Sequence, residues 1–307
     1  METTRTSTRC LEVPQLWTGI AFIAIFWPLN WMLEGLRTHI LFFPLWLGYA
    51  LTVDGLVYLR RGTSLLRRNW HAYVGLFLLS APLWWLFELI NWRTLNWEYL
   101  GEQELSLLWG ALLKTLSFST VIPAVFGTAE LVSTWGWVRR LGRGPVLRPT
   151  PSLLAGFFLT GVLMFVLMMV WPRFFFPFIW LSLYFTFAAV NAALGYRSLS
   201  DFTAVGEWRA VVALMLGTLI CGFFWEFWNY YAYPKWIYHV EPFEILYIFE
   251  MPLLGYGGYL TFGLELFALY HLLLGLFGLW ALNDYVQFEE LATPIKDEKT
   301  NAYLEQR

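Results

Sequence analysis

Four glutamates lie inside strongly apolar stretches of this sequence, where a charged side chain is costly. They are Glu88, Glu130, Glu226 and Glu265. An ionisable residue in such a stretch marks a candidate functional site, because it is expensive to keep there without a role. We therefore predict these four residues as catalytic acids or bases.

Two of the glutamates belong to similar short motifs. Glu88 is followed by Asn91 in WLFELINW, and Glu226 is followed by Asn229 in FFWEFWNYYAYPKWIY. Residues three or four apart on a helix share a face, so each glutamate should lie beside an asparagine and aromatic rings. The ligand-binding residues predicted on this basis are Asn91, Asn229, Trp85, Trp92, Trp225 and Tyr230.

This combination of groups is suited to acid chemistry on a hydrocarbon. A buried carboxyl group favours its neutral form, because burial penalises the charge. In that form it can donate a proton to an olefin, and aromatic faces can stabilise the resulting carbocation. The pattern thus favours an enzyme acting on an isoprenoid or another lipid. The same acids could instead carry protons or a cation in a proton-coupled or lipid transporter. The third hypothesis is a non-catalytic, pigment- or lipid-binding subunit of a membrane complex.

The composition indicates what kind of fold must position these residues. Of the 307 residues, 58% are hydrophobic and 14% are charged, against about 25% charged in soluble domains. About 20 apolar residues span a bilayer. We predict an all-α integral membrane bundle of eight spans, at 14–33, 40–59, 72–92, 105–136, 152–171, 174–195, 209–230 and 243–282. The fourth and eighth are long and contain Pro123 and Pro252, so each is either kinked or made of a half-helix and a full helix.

Arginine positions predict the orientation. The loops at 60–68, 139–148 and 197–209 hold most of the arginines and fall on one side. By the positive-inside rule both termini are cytoplasmic, and a bacterial cytoplasmic membrane is the expected location. Residues 1–13 and 284–307 are predicted to be polar cytoplasmic tails.

The spans also predict an internal repeat. The glutamate–asparagine motifs, two Phe-Pro helix starts and the deeper glutamates recur at offsets of about 133–138 residues. We predict two similar four-helix halves, 14–140 and 151–283, joined by a basic linker at 141–150. An even number of spans in each half makes the repeats parallel. If the halves pack around a pseudo-twofold axis, Lys114 and Glu250 should form a structural ion pair.

Other kinds of site are not indicated. The two cysteines and four histidines have no metal-ligand spacing, and no nucleotide-binding or hydrolase motif occurs. We predict no metal and no nucleic-acid partner, and the sequence names no cofactor. The expected partner is a membrane lipid or a hydrophobic small molecule.

Two stretches carry a resemblance. FEMPLLGYGGYLTFGLELFALYHLL (249–273), with WEFWNYYAYPKW, resembles an uncharacterised family of bacterial multi-span membrane proteins over about a fifth of the chain. The duplicated helical plan with intramembrane acids is also similar in architecture to the membrane lycopene and terpene cyclases. The proline and paired-glutamate motif of the lycopene cyclases is matched only loosely here, by EPFE (241–244). The resemblance therefore assigns no catalytic residue.

Overall fold

A computed structural model describes residues 13–35, 38–103, 105–242, 244–282 and 287–288. Most of both predicted tails, residues 1–12 and 289–307, lies outside these ranges. The described chain is largely helical. Its longer helices are α1 (Pro14–Met32), α2 (Phe42–Arg61), α3 (Trp70–Thr94), α4 (Leu107–Phe118), α5 (Val121–Ser133), α6 (Pro151–Val170), α7 (Ile179–Leu194), α8 (Arg209–Tyr230) and α9 (Tyr256–Phe277).

Shorter elements join these helices. Single α-helical turns span Leu65–Arg68, Gly136–Arg139, Pro172–Phe175 and Ser200–Thr203. 3₁₀ turns span Thr38–Ile40, Phe176–Phe178, Leu253–Gly255 and Trp280–Leu282. The predicted linker, 141–150, contains neither helix nor strand.

Polar residues mark several helix starts. The side chain of Asn69 accepts a hydrogen bond from the backbone N–H of Ala72 at the start of α3, at 3.0 Å. Thr150 caps α6 in the same manner, and Pro151 occupies the first helical position. These residues satisfy backbone donors that have no partner within the helix. The starts of α3 and α6 are therefore fixed by a side-chain oxygen acceptor.

Seven helical segments in the described part of the chain are long and apolar enough to cross a membrane. They are Phe42–Arg61, Trp70–Thr94, Leu107–Ser133, Pro151–Val170, Pro172–Leu194, Arg209–Tyr230 and Leu253–Phe277. The chain is thus a multi-pass membrane protein, as predicted. The count of eight is not confirmed, because α1 has 19 residues but is not among the seven.

The two long predicted spans differ in structure. The fourth consists of α4 and α5, separated at Ser119 and Thr120, and Pro123 lies in the first turn of α5, where a backbone N–H is dispensable. The eighth begins as a β-hairpin and becomes helical only near Leu253. Glu250 was predicted within that span but lies in the hairpin turn, because residues 247–252 pair as strands.

Two small antiparallel ribbons add to the predicted all-α fold. β1 (Trp97–Leu100) pairs with β2 (Lys235–Tyr238), and β3 (Tyr247–Ile248) pairs with β4 (Met251–Pro252). β1 follows α3 and β2 follows α8, so the first ribbon links two helix ends that are far apart in sequence. Helices α5, α8 and α9 pack against one another in the middle of the bundle, while α6 is mostly exposed.

Two helix pairs pack closely through glycine. A Cβ added at Gly19 of α1 would lie 2.5 Å from the backbone N of Thr52 in α2. A Cβ added at Gly161 of α6 would lie 2.7 Å from the backbone N of Thr186 in α7. Both threonine hydroxyls bond the carbonyl four residues earlier, at 2.7 and 2.8 Å. Small residues at such positions let helix backbones approach each other.

Substitution of Gly161 by valine should destabilise the protein by about 1–3 kcal/mol, because the new side chain would force α6 away from α7. Gly156→Val is a matched control in the same helix, since a Cβ at Gly156 meets no atom within 4 Å. Thermal unfolding in detergent measures the effect. Equal melting temperatures for the two variants would contradict the close contact.

Candidate functional site

Two asparagines fix the β1–β2 ribbon to the ends of α3 and α8. Asn91 donates to the backbone carbonyl of Trp97 at 2.8 Å and accepts from the backbone N–H of Trp97 at 3.3 Å. Asn229 makes the same two bonds with Trp236, at 2.7 and 3.0 Å. A side-chain amide has both donors and an acceptor, so each asparagine pairs with the backbone of its tryptophan as a neighbouring strand would.

Glu88 is buried beneath the first strand of this ribbon. Its Oε1 accepts hydrogen bonds from the hydroxyl of Tyr99 at 2.6 Å and from the indole N–H groups of Trp97 and Trp84 at 3.0 and 3.1 Å. Three donors on one oxygen offset much of the cost of burying the group.

Glu226 occupies a comparable place beneath the second strand and is completely buried. Its Oε1 accepts from the hydroxyls of Tyr259 at 2.6 Å and Tyr238 at 2.7 Å. The indole N–H of Trp236 donates to the Tyr238 hydroxyl at 2.9 Å. Among the described residues, Oε2 of Glu226 has no hydrogen-bond partner.

The strand register places the aromatic residues around Glu88 next to those around Glu226. Trp97 lies opposite Tyr238, and Tyr99 lies opposite Trp236. Burial, followed by the nearby glutamate, raises the pKa of Tyr99 and of Tyr238 well above the ordinary value. Both hydroxyls therefore remain protonated and act as donors at neutral pH.

A cavity of about 160 Å³ lies beside this arrangement and is partly open. Its lining is mainly aromatic, and both tyrosine–tryptophan pairs of the ribbon contribute to it. The aromatic lining residues are Phe42, Trp84, Trp97, Tyr99, Phe118, Trp180, Trp225, Trp228, Trp236, Tyr238, Tyr259 and Phe262. The lining does not include Glu88 or Glu226, which reach the cavity only through the hydroxyl and indole groups that they bind.

The ring contacts keep the cavity wall rigid. The Phe262 ring makes edge contacts with Trp180 and Trp84, with centroids 5.2 and 5.8 Å apart. Trp225 stacks obliquely on Trp46 at 5.2 Å. Such pairs are stabilising beyond the area that they bury, so the wall presents fixed aromatic faces and edges.

The predicted ligand-binding residues divide into two groups. Trp225 and Asn229 line the cavity. Asn91 is buried but positions the ribbon instead of facing the cavity, and the Trp85 indole donates to Thr115. Trp92 and Tyr230 point outward, with 73% and 38% of their surface exposed. Trp92 is therefore not buried with Glu88, although it follows that residue by one helical turn.

The two deeper glutamates are not part of this site. Glu130 is buried in ion pairs with Arg68, at 2.9 Å, and Arg61, at 3.4 Å. Glu265 is completely buried in α9, and within the described residues neither of its oxygens has a hydrogen-bond partner. The four predicted acids thus occupy separate places, with Glu88 and Glu226 alone sharing the ribbon.

The expected ion pair between Lys114 and Glu250 does not form. Lys114 binds Glu102 at 2.6 Å, and Glu250 binds Lys235. The reason is local: Glu250 lies in the β3–β4 turn, outside the helices, where Lys235 of β2 can reach it. Lys114 is also placed 4.3 Å above the Tyr99 ring.

Sequence reasoning missed three tyrosines that complete the site, Tyr99, Tyr238 and Tyr259. A signal for two of them was present: each motif asparagine is followed by Trp-x-Tyr, at 97–99 and at 236–238. In the described residues, no group of three or more histidines, cysteines, aspartates or glutamates is arranged to hold a metal ion.

Comparison of the chain with models of protein families, with curated proteins and with solved structures found no significant match. The function is therefore argued from the site.

Substitution of Asn229 by alanine should free the second strand. It removes two hydrogen bonds to Trp236, at a cost of about 1–3 kcal/mol in total. Hydrogen exchange of the amides at 235–238 should accelerate. Asn191→Ala is the control, because Asn191 is also buried but bonds the Ala268 carbonyl, away from the ribbon. Unchanged exchange at 235–238 would contradict this role of Asn229.

His39, at the edge of the cavity, gives a pH dependence. Burial, and then the charge of Lys114, hold its pKa below the ordinary value of 6.5, although the Gly101 backbone opposes them. The unfolded chain then binds the proton more tightly, so stability falls as pH drops below about 6.5. Between about pH 7.5 and pH 5.5, the melting temperature of the wild type should fall further than that of His39→Gln. Equal falls would show that His39 does not contribute.

Proposed function

We propose that this protein is a membrane enzyme that binds an isoprenoid or similarly hydrophobic lipid in the aromatic cavity and acts on it by acid catalysis. One observation carries the proposal. Two buried carboxyl groups, Glu88 and Glu226, are hydrogen-bonded to tyrosine hydroxyls that line a single apolar cavity.

The tyrosine hydroxyl supplies a route for the proton. When Glu226 is neutral, the hydroxyl hydrogen of Tyr259 or Tyr238 turns from the carboxyl oxygen toward the olefin. The hydroxyl oxygen then accepts the carboxyl proton while its own proton passes to a carbon of the olefin. A C–H bond forms, the π bond breaks, and the carboxylate is left behind. Loss of a proton from the neighbouring carbon returns it by the same route, so isomerisation or cyclisation needs no other reactant.

The aromatic wall suits the intermediate of such a reaction. A carbocation in the cavity would meet the faces and edges of Trp180, Trp225 and Phe262, and π-faces attract positive charge. The volume is close to the roughly 150 Å³ of a cavity that holds one benzene ring. The reacting end of the lipid would therefore fill the cavity, and the rest of its chain would extend through the open side.

The same proposal includes a two-half architecture with eight spans. Three features support it: the paired glutamate–asparagine units, the glycine contacts at Gly19 and Gly161, and the β1–β2 register. In that register, Trp97 opposite Tyr238 and Tyr99 opposite Trp236 are exchanged by a twofold axis. The halves would be 14–140 and 151–283, with α1 as the eighth span. The arginine-rich loops would face the cytoplasm with both termini, and the ribbon would face the opposite side.

Substitution of Glu226 by glutamine should lower turnover by about 10²–10⁴-fold, because glutamine cannot donate the proton. The lipid that co-purifies with the wild type is identified by mass spectrometry, and its conversion is measured in liposomes. Tyr259→Phe should also lower the rate. Tyr270→Phe is the control, since the Tyr270 hydroxyl bonds the Leu282 carbonyl away from the cavity lining.

The alternatives give different results in the same assay. A lipid that co-purifies with wild type and Glu226→Gln alike, and is never converted, would indicate a non-catalytic binding subunit. Flux across the liposome membrane without conversion would indicate a transporter. Either result would overturn the catalytic proposal.

A further inference from the structure

One end of the cavity gathers hydrogen-bond donors, among them two lysine ammonium groups. Lys235 lies opposite Leu100 at the end of the β1–β2 ribbon, and Lys114 lies above the adjacent Tyr99 ring. The turn after β1 contacts the turn before β2, since Gly101 lies against Tyr233 and Pro234. His39 lies against the Gly101 backbone and feels the charge of Lys114. These groups therefore converge where the ribbon closes the cavity.

Each lysine at this end is paired with a glutamate, and only one of those two glutamates lines the cavity. Lys114, Lys235 and Glu102 line the cavity, whereas Glu250 does not. Each ammonium group carries three donors. Lys114 uses one on Glu102, and Lys235 binds Glu250 and the Tyr230 carbonyl. Donors remain on both lysines for a ligand.

A fixed, unpartnered donor lies in the same wall. Trp228 is 2% exposed and lines the cavity, and in the described part of the chain its indole N–H has no hydrogen-bond partner. Its ring is held by Trp46 and Phe224, with centroids 5.0 and 5.1 Å away. A buried donor left unpaired is costly, so an acceptor is expected opposite it.

We propose that this end of the cavity binds the phosphate or diphosphate head group of a lipid, whose hydrocarbon chain lies among Trp180, Trp225 and Phe262. This names the substrate class of the site and rests on the proposed function for its lipid. The match is chemical: phosphate oxygens accept several hydrogen bonds and carry negative charge, and the wall supplies lysine ammonium groups and an indole N–H. A neutral alcohol would leave most of these donors unused.

The location suits an anion. Lys235 and His39 lie outside the membrane-spanning segments, at the level of the ribbon, where a phosphate keeps part of its hydration. The rings deeper in the cavity take the apolar chain. The reacting carbon is thereby held beside the tyrosines bound to Glu88 and Glu226.

Binding of geranyl diphosphate, geranyl phosphate and geraniol to the protein in phosphatidylcholine nanodiscs tests the proposal, with tryptophan fluorescence as the readout. Both phosphorylated probes should bind at least about tenfold more tightly than the alcohol. Lys114→Gln and Lys235→Gln should each weaken binding of geranyl phosphate by about tenfold and leave geraniol unchanged. Lys235→Arg, which keeps the charge, should restore most of the affinity.

Arg173→Gln is the matched control. It removes an exposed cation that pairs with Glu241 and does not line the cavity. Equal affinity for geraniol and geranyl phosphate, or equal effects of Arg173→Gln and Lys235→Gln, would overturn the head-group assignment. Displacement of geranyl phosphate by inorganic phosphate alone, at similar concentration, would show a free-anion site and overturn the lipid assignment.

Binding and turnover separate the two proposals. Glu226→Gln should bind geranyl phosphate as the wild type does, because Glu226 is not in the cavity lining. If the head-group preference is found but no variant changes turnover, the catalytic proposal fails alone. If Glu226→Gln abolishes turnover of a lipid without a phosphate, the head-group assignment fails alone. Melting temperatures of the ligand-free variants identify any that do not fold, and Lys235→Arg then decides.

Discussion

The buried carboxyl groups of Glu226 and Glu88 impose the constraint on which this structure depends. A carboxyl group removed from water needs hydrogen-bond donors, and a helix in a bilayer has no backbone N–H to spare. The protein supplies them from rings whose hydroxyl and indole groups point inward. Three of those five rings are on the β1–β2 ribbon, which Asn91 and Asn229 hold to the helix ends. The four aromatic residues of the ribbon that line the cavity are Trp97, Tyr99, Trp236 and Tyr238.

Much of the fold and part of the site could be predicted from residue types. The apolar runs predicted a multi-pass helical protein, and the E-x-x-N spacing indicated a glutamate and an asparagine near each helix end. The ribbon could not be foreseen, since its strands have four residues each and pair only because distant helix ends meet. The same omission explains two of the tyrosines, since Tyr99 and Tyr238 lie between the predicted spans and belong to the ribbon. Glu250 was predicted within a span but lies in the turn between β3 and β4. Trp92 shows the limit of periodicity, which predicts a shared face but not whether that face meets protein or lipid.

The four intramembrane glutamates show three solutions to one problem. Glu130 is neutralised by Arg61 and Arg68, and the backbone of Gln287 adds a weak bond at 3.4 Å. Glu88 and Glu226 accept hydrogen bonds from neutral donors and form no ion pair with another described residue. For Glu265, the described residues supply no hydrogen-bond partner to either oxygen. Similar positions in the sequence therefore do not imply similar chemistry, and the surroundings of each carboxyl group decide its role.

The interruption at Ser119 and Thr120 has a consequence for how a bulky molecule reaches the interior. α4 buries only Phe118 and packs mainly on α3, whereas α5 is embedded among α2, α3 and α8. An outward rotation of α4 about Ser119 and Thr120 would lose less apolar contact than a displacement of any central helix. Leu113 and Lys114 line the cavity, so they would move with α4 and widen the opening of the cavity. The broken span thus joins a well-packed helix, α5, to one with few buried contacts, α4. Under the proposed function, α4 is the side from which a lipid would enter directly from the bilayer.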